Sequence, residues 1–361
     1  MYLKETWYVA AWDHEVGREL RAVRMLDESL VLYRTDAGEP VALENACPHR
    51  KLPLSMGRLK LDHIECGYHG LTFDKTGSCT RIPGVKRVPP SVRVRCYPAV
   101  SRYGLVWVWM GDPARARAQD IFPVEHYDDP AWARNHGGSM IVDCNYLYIT
   151  DNLLDPSHVA WVHQDSFGND ACESEPIVVS LTPQGVIAGR WMRNVEVAPF
   201  YAPLVSFAGR CDRLQHYEVR FPSHAIIRAV FVPAGTGGGG PPFHSQVMLM
   251  DSYNFMTPVD ESQTRYFWFQ LRNFAVGDSE VSRIMDEGVA AAFAEDKAIL
   301  TAVQEGFAHQ VTRNIDLASD RASLLFRRRL SELIAAESGA TATGVGVLEP
   351  SATEQGAVDP G

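Results

Sequence analysis

Short apolar runs bounded by turn residues dominate the first third of the chain. Leu30–Tyr33, Pro40–Leu43 and Ile64–Tyr68 are each flanked by Gly, Pro or Asp, the pattern of β-strands between tight turns. Val92–Tyr97 alternates apolar and polar positions, and Leu105–Met110 is a continuous apolar strand that stops at Gly111-Asp112-Pro113. That turn, followed by the polar stretch ARARAQD, sets the expected domain boundary, with one domain over 1–115 and a second over 116–337. Beyond it the rhythm changes. Residues 146–154 (YLYITDNLL) carry helical spacing, and strand-like segments recur at 186–193, 217–221, 225–232, 246–255 and 265–271. Residues 278–304 predict the clearest helix, with Asp278 or Ser279 as N-cap and an acidic first turn. A second helix is expected over Ala318–Ala336, and 338–361 reads as a disordered tail of Gly, Ala, Thr, Ser and Pro. The class is α+β: a β-rich N-terminal domain, then a domain with an antiparallel sheet flanked by helices.

Composition narrows the function. With 46% hydrophobic residues among 361 the chain can build real cores, and it has no apolar run of the ~20 residues a membrane span needs. The start, MYLKETWYVA, lacks the basic and apolar regions of a secretory leader, so the expected setting is cytoplasmic, with no membrane partner. A net charge of −10 argues against a nucleic-acid partner. The seven cysteines lie within the first 211 residues without a scaffold rhythm, which favours free or metal-bound thiols over disulfides. The stretch GTGGGGPP at 235–242 lacks the Lys-Ser/Thr ending of a phosphate loop and reads as a hairpin connection.

Two constellations carry chemistry. Cys47-Pro48-His49 and Cys66-Gly67-Tyr68-His69 form a C-x-H…C-x-x-H pattern with sixteen residues between the halves. Two thiolates and two imidazoles can hold a zinc ion, or a [2Fe–2S] cluster with both cysteines on one iron and both histidines on the other. The second constellation runs from Asp151 to His163. His158 and His163 are five apart, about 140° on an ideal helix, so they converge only if the helix bends or ends between them, as Pro156 allows. On the 278–304 helix the apolar stripe runs through Val289, Ala292, Phe293, Ile299, Leu300 and Val303, and Asp296 falls on it, while Glu295 and Lys297 face outward. A carboxylate on a buried face needs a cation or a metal. Either a buried arginine pairs with it, or it joins the two histidines in the facial triad that suits non-haem Fe(II).

CPHR, CGYHGLTFD, WYVAAWD, YGLVWVWMGDP, DNLLDPSHVAWVH, RYFWFQLRNF and FAEDK together resemble the Rieske non-haem iron oxygenases, over about 335 of the 361 residues. The nearest branch is the one containing vanillate O-demethylase, toluenesulfonate methyl-monooxygenase and dicamba demethylase. The resemblance implies that Cys47, His49, Cys66 and His69 hold a [2Fe–2S] cluster. It implies that His158, His163 and Asp296 hold a mononuclear Fe(II) at which O2 is the co-substrate. It makes Asp155 the bridge from one subunit's cluster to the neighbour's iron, places Asn152 near the iron, and implies a homotrimer.

The expected activity is oxidation of a methyl or methoxy group on a small aromatic acid, with vanillate-like O-demethylation preferred over methyl hydroxylation of an arenesulfonate or ring hydroxylation. Only one lysine, Lys297, follows position 86, so arginine supplies the second domain's positive charge. Arg190, Arg193, Arg220, Arg228 and Arg272 are candidate substrate anchors, and Asn254 a candidate polar contact in walls drawn from 217–232 and 246–256. No flavin or nicotinamide fingerprint occurs, so a separate NAD(P)H-dependent reductase is required, with Arg327-Arg328-Arg329 a candidate docking face. Two rivals remain: a zinc-stabilised binding module, and a Rieske electron carrier, which leaves the second domain without a purpose.

Overall fold

The computed structural model describes residues 1–236 and 245–339. The N-terminal strands are β1 (Trp7–Trp12), β2 (Arg21–Met25), β3 (Glu28–Arg34), β4 (Pro40–Glu44), β5 (Arg58–Lys60), β6 (His63–Glu65), β7 (Thr72–Phe73), β8 (Cys79–Arg81), β9 (Cys96–Tyr97), β10 (Ala99–Arg102) and β11 (Leu105–Trp109). They form three sheets in the orders β1-β11-β10, β2-β3-β4-β9 and β5-β6-β7-β8. Two expected strands are shorter than their apolar runs. Ile64–Tyr68 leaves the sheet after Glu65 because the chain turns at Cys66–Gly70, and of Val92–Tyr97 only the last two residues pair with β4.

Next come β12 (Ala133–Arg134), β13 (Gly138–Val142) and the helices α1 (Tyr146–Leu154), α2 (Val159–Val162) and α3 (Ala171–Ser174). They are followed by β14 (Val178–Leu181), β15 (Gly185–Val195), β16 (Cys211–Arg220), β17 (His224–Pro233), β18 (Met248–Asp260), β19 (Gln263–Arg272), α4 (Ser279–Ala308) and α5 (Arg321–Glu337). The eight strands make one antiparallel sheet ordered β12-β19-β18-β17-β16-β15-β14, with β13 also on β19. The expected α+β class is thus the observed one. The expected tail beyond Gly339 and residues 237–242 of the glycine-rich stretch lie outside the described residues.

β18 shows why the two halves are inseparable. Twelve of its thirteen residues are buried, because both of its faces are covered. On one face Met256 joins Tyr266, Phe293 and α1's Ile149 and Leu153 in a common core. On the other, Tyr253 and Phe255 pack with Trp7, Val9 and Trp107 of the N-terminal sheet. Trp107 meets Phe255 edge to face at 5.1 Å. Polar ties pin the seam: the Thr257 hydroxyl donates to the Val9 carbonyl at 2.7 Å, and the Leu26 N–H to the Pro258 carbonyl at 2.8 Å.

α4 starts where the sequence predicts. The Asp278 carboxylate accepts from the Glu280 and Val281 N–H groups at 2.9 and 3.1 Å. Its buried positions are Met285, Val289, Ala292, Phe293, Asp296 and Leu300. Ile299 and Val303, expected on the stripe, are 48% and 36% exposed: Ile299 lies off the buried face that Asp296 and Leu300 share, and Val303 lies beyond Leu300, the last buried residue. Among the described residues no helix is long and apolar enough to cross a membrane.

Truncating Trp107, fully buried at the seam between the sheets, will therefore destabilise both halves together. Trp107→Ala is expected to lower stability by about 3–5 kcal/mol. In urea unfolding, cluster absorbance and far-UV signal should be lost in one shared, earlier transition.

Candidate active site

The two Cys–His loops are built alike. One follows β4 and the other joins β6 to β7. In each, the cysteine N–H donates to a carbonyl five residues on, Cys47 to Leu52 at 2.9 Å and Cys66 to Leu71 at 2.7 Å. In each, the N–H four residues on returns to the cysteine carbonyl, from Lys51 at 2.8 Å and Gly70 at 3.1 Å. That returning residue is left-handed in both loops, with φ of 60° at Lys51 and 70° at Gly70. The result separates the ligands by depth. Cys47 and Cys66 are buried; burial and the adjoining Cys66 thiol raise the Cys47 pKa above the ordinary thiol value. His49 and His69 are exposed, with ring centroids 4.5 Å apart. A sulfur pair inside and an imidazole pair outside suits a two-iron cluster with one pair on each iron.

The second centre forms where α1 ends. Asp155 is the residue after the helix, and the chain re-enters a single helical turn, α2, between His158 and His163. The break at Pro156 removes the angular conflict expected on a continuous helix, and the two rings come to 5.3 Å between centroids. Asp296 reaches them from α4. Its Oδ1 lies 3.3 Å from His163 Nε2 and 3.8 Å from His158 Nε2. One ligand atom from each of the three residues falls within 4.8 Å of the others.

The far side of each ring is held as a metal ligand requires. His158 Nδ1 donates to the Asp155 carbonyl at 2.6 Å. A carbonyl can only accept, so in the neutral ring the lone pair sits on Nε2, facing Asp296. His163 Nδ1 lies 2.6 Å from the Glu295 carboxylate. Burial holds His158 below the ordinary imidazole range. Burial acts the same way on His163, yet that ring is raised because Asp296 and Glu295 both face it. Asn152 Nδ2 donates to Asp296 Oδ1 at 3.2 Å. Two imidazole Nε2 atoms and a carboxylate converging beside a cavity are a donor set that fits Fe(II) and leaves room for other ligands.

Glu295 corrects the sequence reading. It does leave the buried face of α4, being half-exposed, but its long side chain returns to His163. Asp155, half-buried, accepts from the backbone and hydroxyl of Ser157.

A cavity opens beside this centre. Leu153, Val159, Phe167, Ile227, Val289 and Phe293 give it an apolar lining, and Tyr217, Ala229, Met250 and Ser252 continue the walls along the strands expected to form them. Asn254 is not part of those walls. It is fully buried one repeat further along β18, donating to the Ser252 carbonyl at 2.9 Å and accepting from the Tyr266 hydroxyl at 2.9 Å.

Of the five arginines singled out, only Arg228 lines the cavity, and it already forms a two-pronged pair with Asp251 at 2.7 Å and reaches Glu125 at 2.9 Å. Arg193 pairs with Asp212, Arg220 with Glu218, and Arg272 with Asn135 and the start of α4. Arg190 is buried behind the wall, bonded to Gln215 and to the Glu175 and Pro156 carbonyls. Two wall residues had escaped notice, Arg213 and Gln215 of β16. The strand begins at Cys211 rather than 217, and its buried positions are every second residue from 211 to 219 together with Asp212. The alternation is one of burial and not of hydropathy, because Arg213 and Gln215 are polar, so the sequence carried no signal for either.

Comparison with known proteins agrees with this geometry. Residues 6–98 match the Rieske [2Fe-2S] domain, and residues 142–336 match the vanillate O-demethylase oxygenase C-terminal domain. The iron-sulfur subunit of the toluene-4-sulfonate monooxygenase system of Comamonas testosteroni is 36% identical over 95% of this chain and 100% of its own. A vanillate O-demethylase oxygenase subunit of a Pseudomonas species is 32% identical over 94% of this chain and 97% of its own. The crystal structure of dicamba monooxygenase with non-haem iron and dicamba superimposes with a TM-score of 0.79 at 29% identity, covering 94% and 99% of the two chains.

If Glu295 fixes His163 as a ligand, removing its charge will weaken iron and spare the cluster. Glu295→Gln should lower iron affinity about 10–100-fold, as measured by chelator competition. The cluster spectrum should be unchanged. Asp296→Ala should lose the mononuclear iron altogether.

Proposed function

The chain belongs to the Rieske oxygenases that carry the vanillate O-demethylase type of catalytic domain, and from that membership we propose that it oxidises a methyl or methoxy group of a small aromatic acid. It is an oxidoreductase, the oxygenase component of a Rieske non-haem iron monooxygenase. Its modules are residues 1–115 for the cluster and 116–337 for the iron. Cys47, His49, Cys66 and His69 would hold the [2Fe–2S] cluster, and His158, His163 and Asp296 the Fe(II). When bound, the cluster supplies single electrons and the iron the activation of O2 that the chemistry needs.

The observation that carries this reading is the meeting of three ligand atoms within 4.8 Å at one end of an apolar cavity. The residues divide the work. The Asp155 carbonyl and the Glu295 carboxylate hold both imidazoles with Nε2 toward the metal position. Asn152 restrains Asp296 through one oxygen. Phe167, Ile227, Val289 and Phe293 hold an aromatic ring and exclude water around the carbon to be oxidised. A hydroxylated methyl ether is a hemiacetal, which collapses to a phenol and formaldehyde, whereas a hydroxylated methyl group stays as the alcohol. O-demethylation is the preferred reading. The 36% identity to the toluenesulfonate enzyme supports the alcohol-forming reaction as the second.

The electrons come from a separate NAD(P)H-dependent reductase. Five cysteines outside the proposed cluster site, none in a disulfide, suit the reducing cytoplasm in which such a partner works. The docking face suggested on α5 is smaller than the sequence implied, because Arg327 is taken up by Asp151. Arg328 and Arg329 remain exposed, each paired with Glu332 on the same helix. Within a homotrimer the exposed His49 and His69 of one subunit would meet the Asp155 loop of the next, and the Asp155 carboxylate would join the two centres.

With a reductase and NADH, methoxybenzoates should yield formaldehyde in step with substrate loss, and toluenesulfonate an alcohol without formaldehyde. Asp155→Asn should cut turnover at least about 10-fold with both metals retained, the size expected for losing a residue that orients a ligand. Undiminished single-turnover rates in that variant would remove Asp155 from the electron route.

A further inference from the structure

One group in the cavity wall is unexplained by iron, fold or the arginine pairs already described. Arg213 is 2% exposed and lines the cavity that holds the triad. Its guanidinium lies over the rings of Tyr201 and Phe231, at 5.5 and 5.2 Å from their centroids. One terminal nitrogen donates to the Phe167 carbonyl at 2.9 Å, and the other approaches the Cys172 sulfur at 3.7 Å. Its Nε has no hydrogen-bond partner. Among the described residues no carboxylate lies within 4 Å of it, whereas Arg228 on the neighbouring strand meets two. Burying a cation with aromatic faces and a carbonyl for company is costly unless an anion arrives.

Gln215, two residues along the same strand face, is prepared in the same sense. Its Oε1 accepts from Arg190 Nε at 2.8 Å. Since Arg190 can only donate, this fixes the amide orientation, and the Nε2 that remains is buried without a partner. Two buried donor groups thus share one wall of one cavity, both short of acceptors.

We propose that Arg213 and Gln215 bind the anionic group of the substrate, so that the site selects an aromatic bearing one compact oxyanion over its neutral counterpart. The anchor rests on the cavity being the oxygenation site proposed above. It sets the direction in which the ring lies: oxyanion at the β16 wall, oxidisable carbon at the His158–His163–Asp296 end. Carboxylate and sulfonate share the required chemistry, because each presents two oxygens to a guanidinium edge and leaves room for an amide N–H. Arg228, already neutralised by Asp251 and Glu125, is a wall and not the anchor.

The test measures binding rather than turnover. Calorimetric titration of the cluster- and iron-loaded protein without oxygen would compare 4-methoxybenzoate with 4-methoxybenzamide, and toluene-4-sulfonate with toluene-4-sulfonamide. The wild type should favour each acid over its amide by about 10–100-fold, the range of a charge-assisted hydrogen-bond pair. Arg213→Gln should erase that preference and leave amide binding within about threefold, since it removes only the charge-assisted contacts. Gln215→Leu should weaken the acids by about 3–10-fold, the scale of one neutral donor. Equal wild-type affinity for acid and amide overturns the anchor even if Arg213→Gln does not fold. So does a preference that vanishes in Arg228→Gln and survives in Arg213→Gln. Acid binding that depends on Arg213 without formation of formaldehyde or alcohol would retire the oxygenation reading and keep the anchor. Oxidation of acids whose affinity ignores Arg213 would do the reverse.

Discussion

A carboxylate on the buried face of a helix is the constraint around which the catalytic half is arranged. Asp296 is 6% exposed and sits among Phe293, Leu300 and Ala292, where a charge without a partner would be strongly unfavourable. Nothing cationic on α4 relieves it. Relief comes from α1 and α2, which deliver two imidazoles and an amide to the same oxygen. That delivery requires the helix to break between Leu154 and Val159, and Asp155-Pro156 breaks it. The interruption is therefore as much part of the site as the ligands are. The two imidazoles are not equivalent: His158 leans on a neutral carbonyl and His163 on a carboxylate, so His163 is the more basic donor of the pair.

The cluster half obeys an opposite rule. Its sulfurs are buried and its imidazoles exposed, so the face that reaches out is the one carried by the neutral ligands. Rigidity there comes from the repeated loop geometry, with a left-handed residue closing each turn. The loops themselves rest on small sheets whose core, from Val31 to Val94, is separate from the large shared core behind β18. The exposed Cys–His loops thus have a local core of their own, while the other face of β3 and β4, through Leu30, Leu32 and Ala42, belongs to the large core shared with the second half.

How far the sequence could be read depended on whether a residue's role was local. The candidate metal-binding residues could be singled out because spacing and helix face are local properties: Cys47 to His69 form a pattern, and Asp296 interrupts an apolar stripe. Most of the large sheet was legible for the same reason, since β15 and β17 to β19 alternate or run apolar over ten residues or more. Glu295 was not, because a helix-face argument assigns a direction to Cβ and ignores the reach of a long side chain beyond it. Arg213 and Gln215 were not, because they put polar residues on the inner face of β16 and so erased the alternation that would have extended the strand back to Cys211. Asn254 was misplaced by one repeat along the correct face, an error that only the position of Tyr266 could resolve. Local rules failed where the cavity itself dictated the residue.

Arg190 shows how little material connects the two sides of the iron position. One of its terminal nitrogens donates to the Pro156 carbonyl, in the loop that carries Asp155 and His158. Its Nε holds Gln215, in the wall where the unpaired amide lies. A single buried guanidinium therefore braces both the loop that carries Asp155 and His158 and the β16 wall of the cavity. Burial lowers its pKa without neutralising it, and its charge is spread over carbonyl dipoles rather than met by a carboxylate. A carboxylate partner would satisfy the charge in one place and free the side chain from the loop or the wall. Carbonyl and amide acceptors hold it to both. The His158 loop and the Gln215 wall thus share one buried group, which ties the position of the triad to that of the cavity wall.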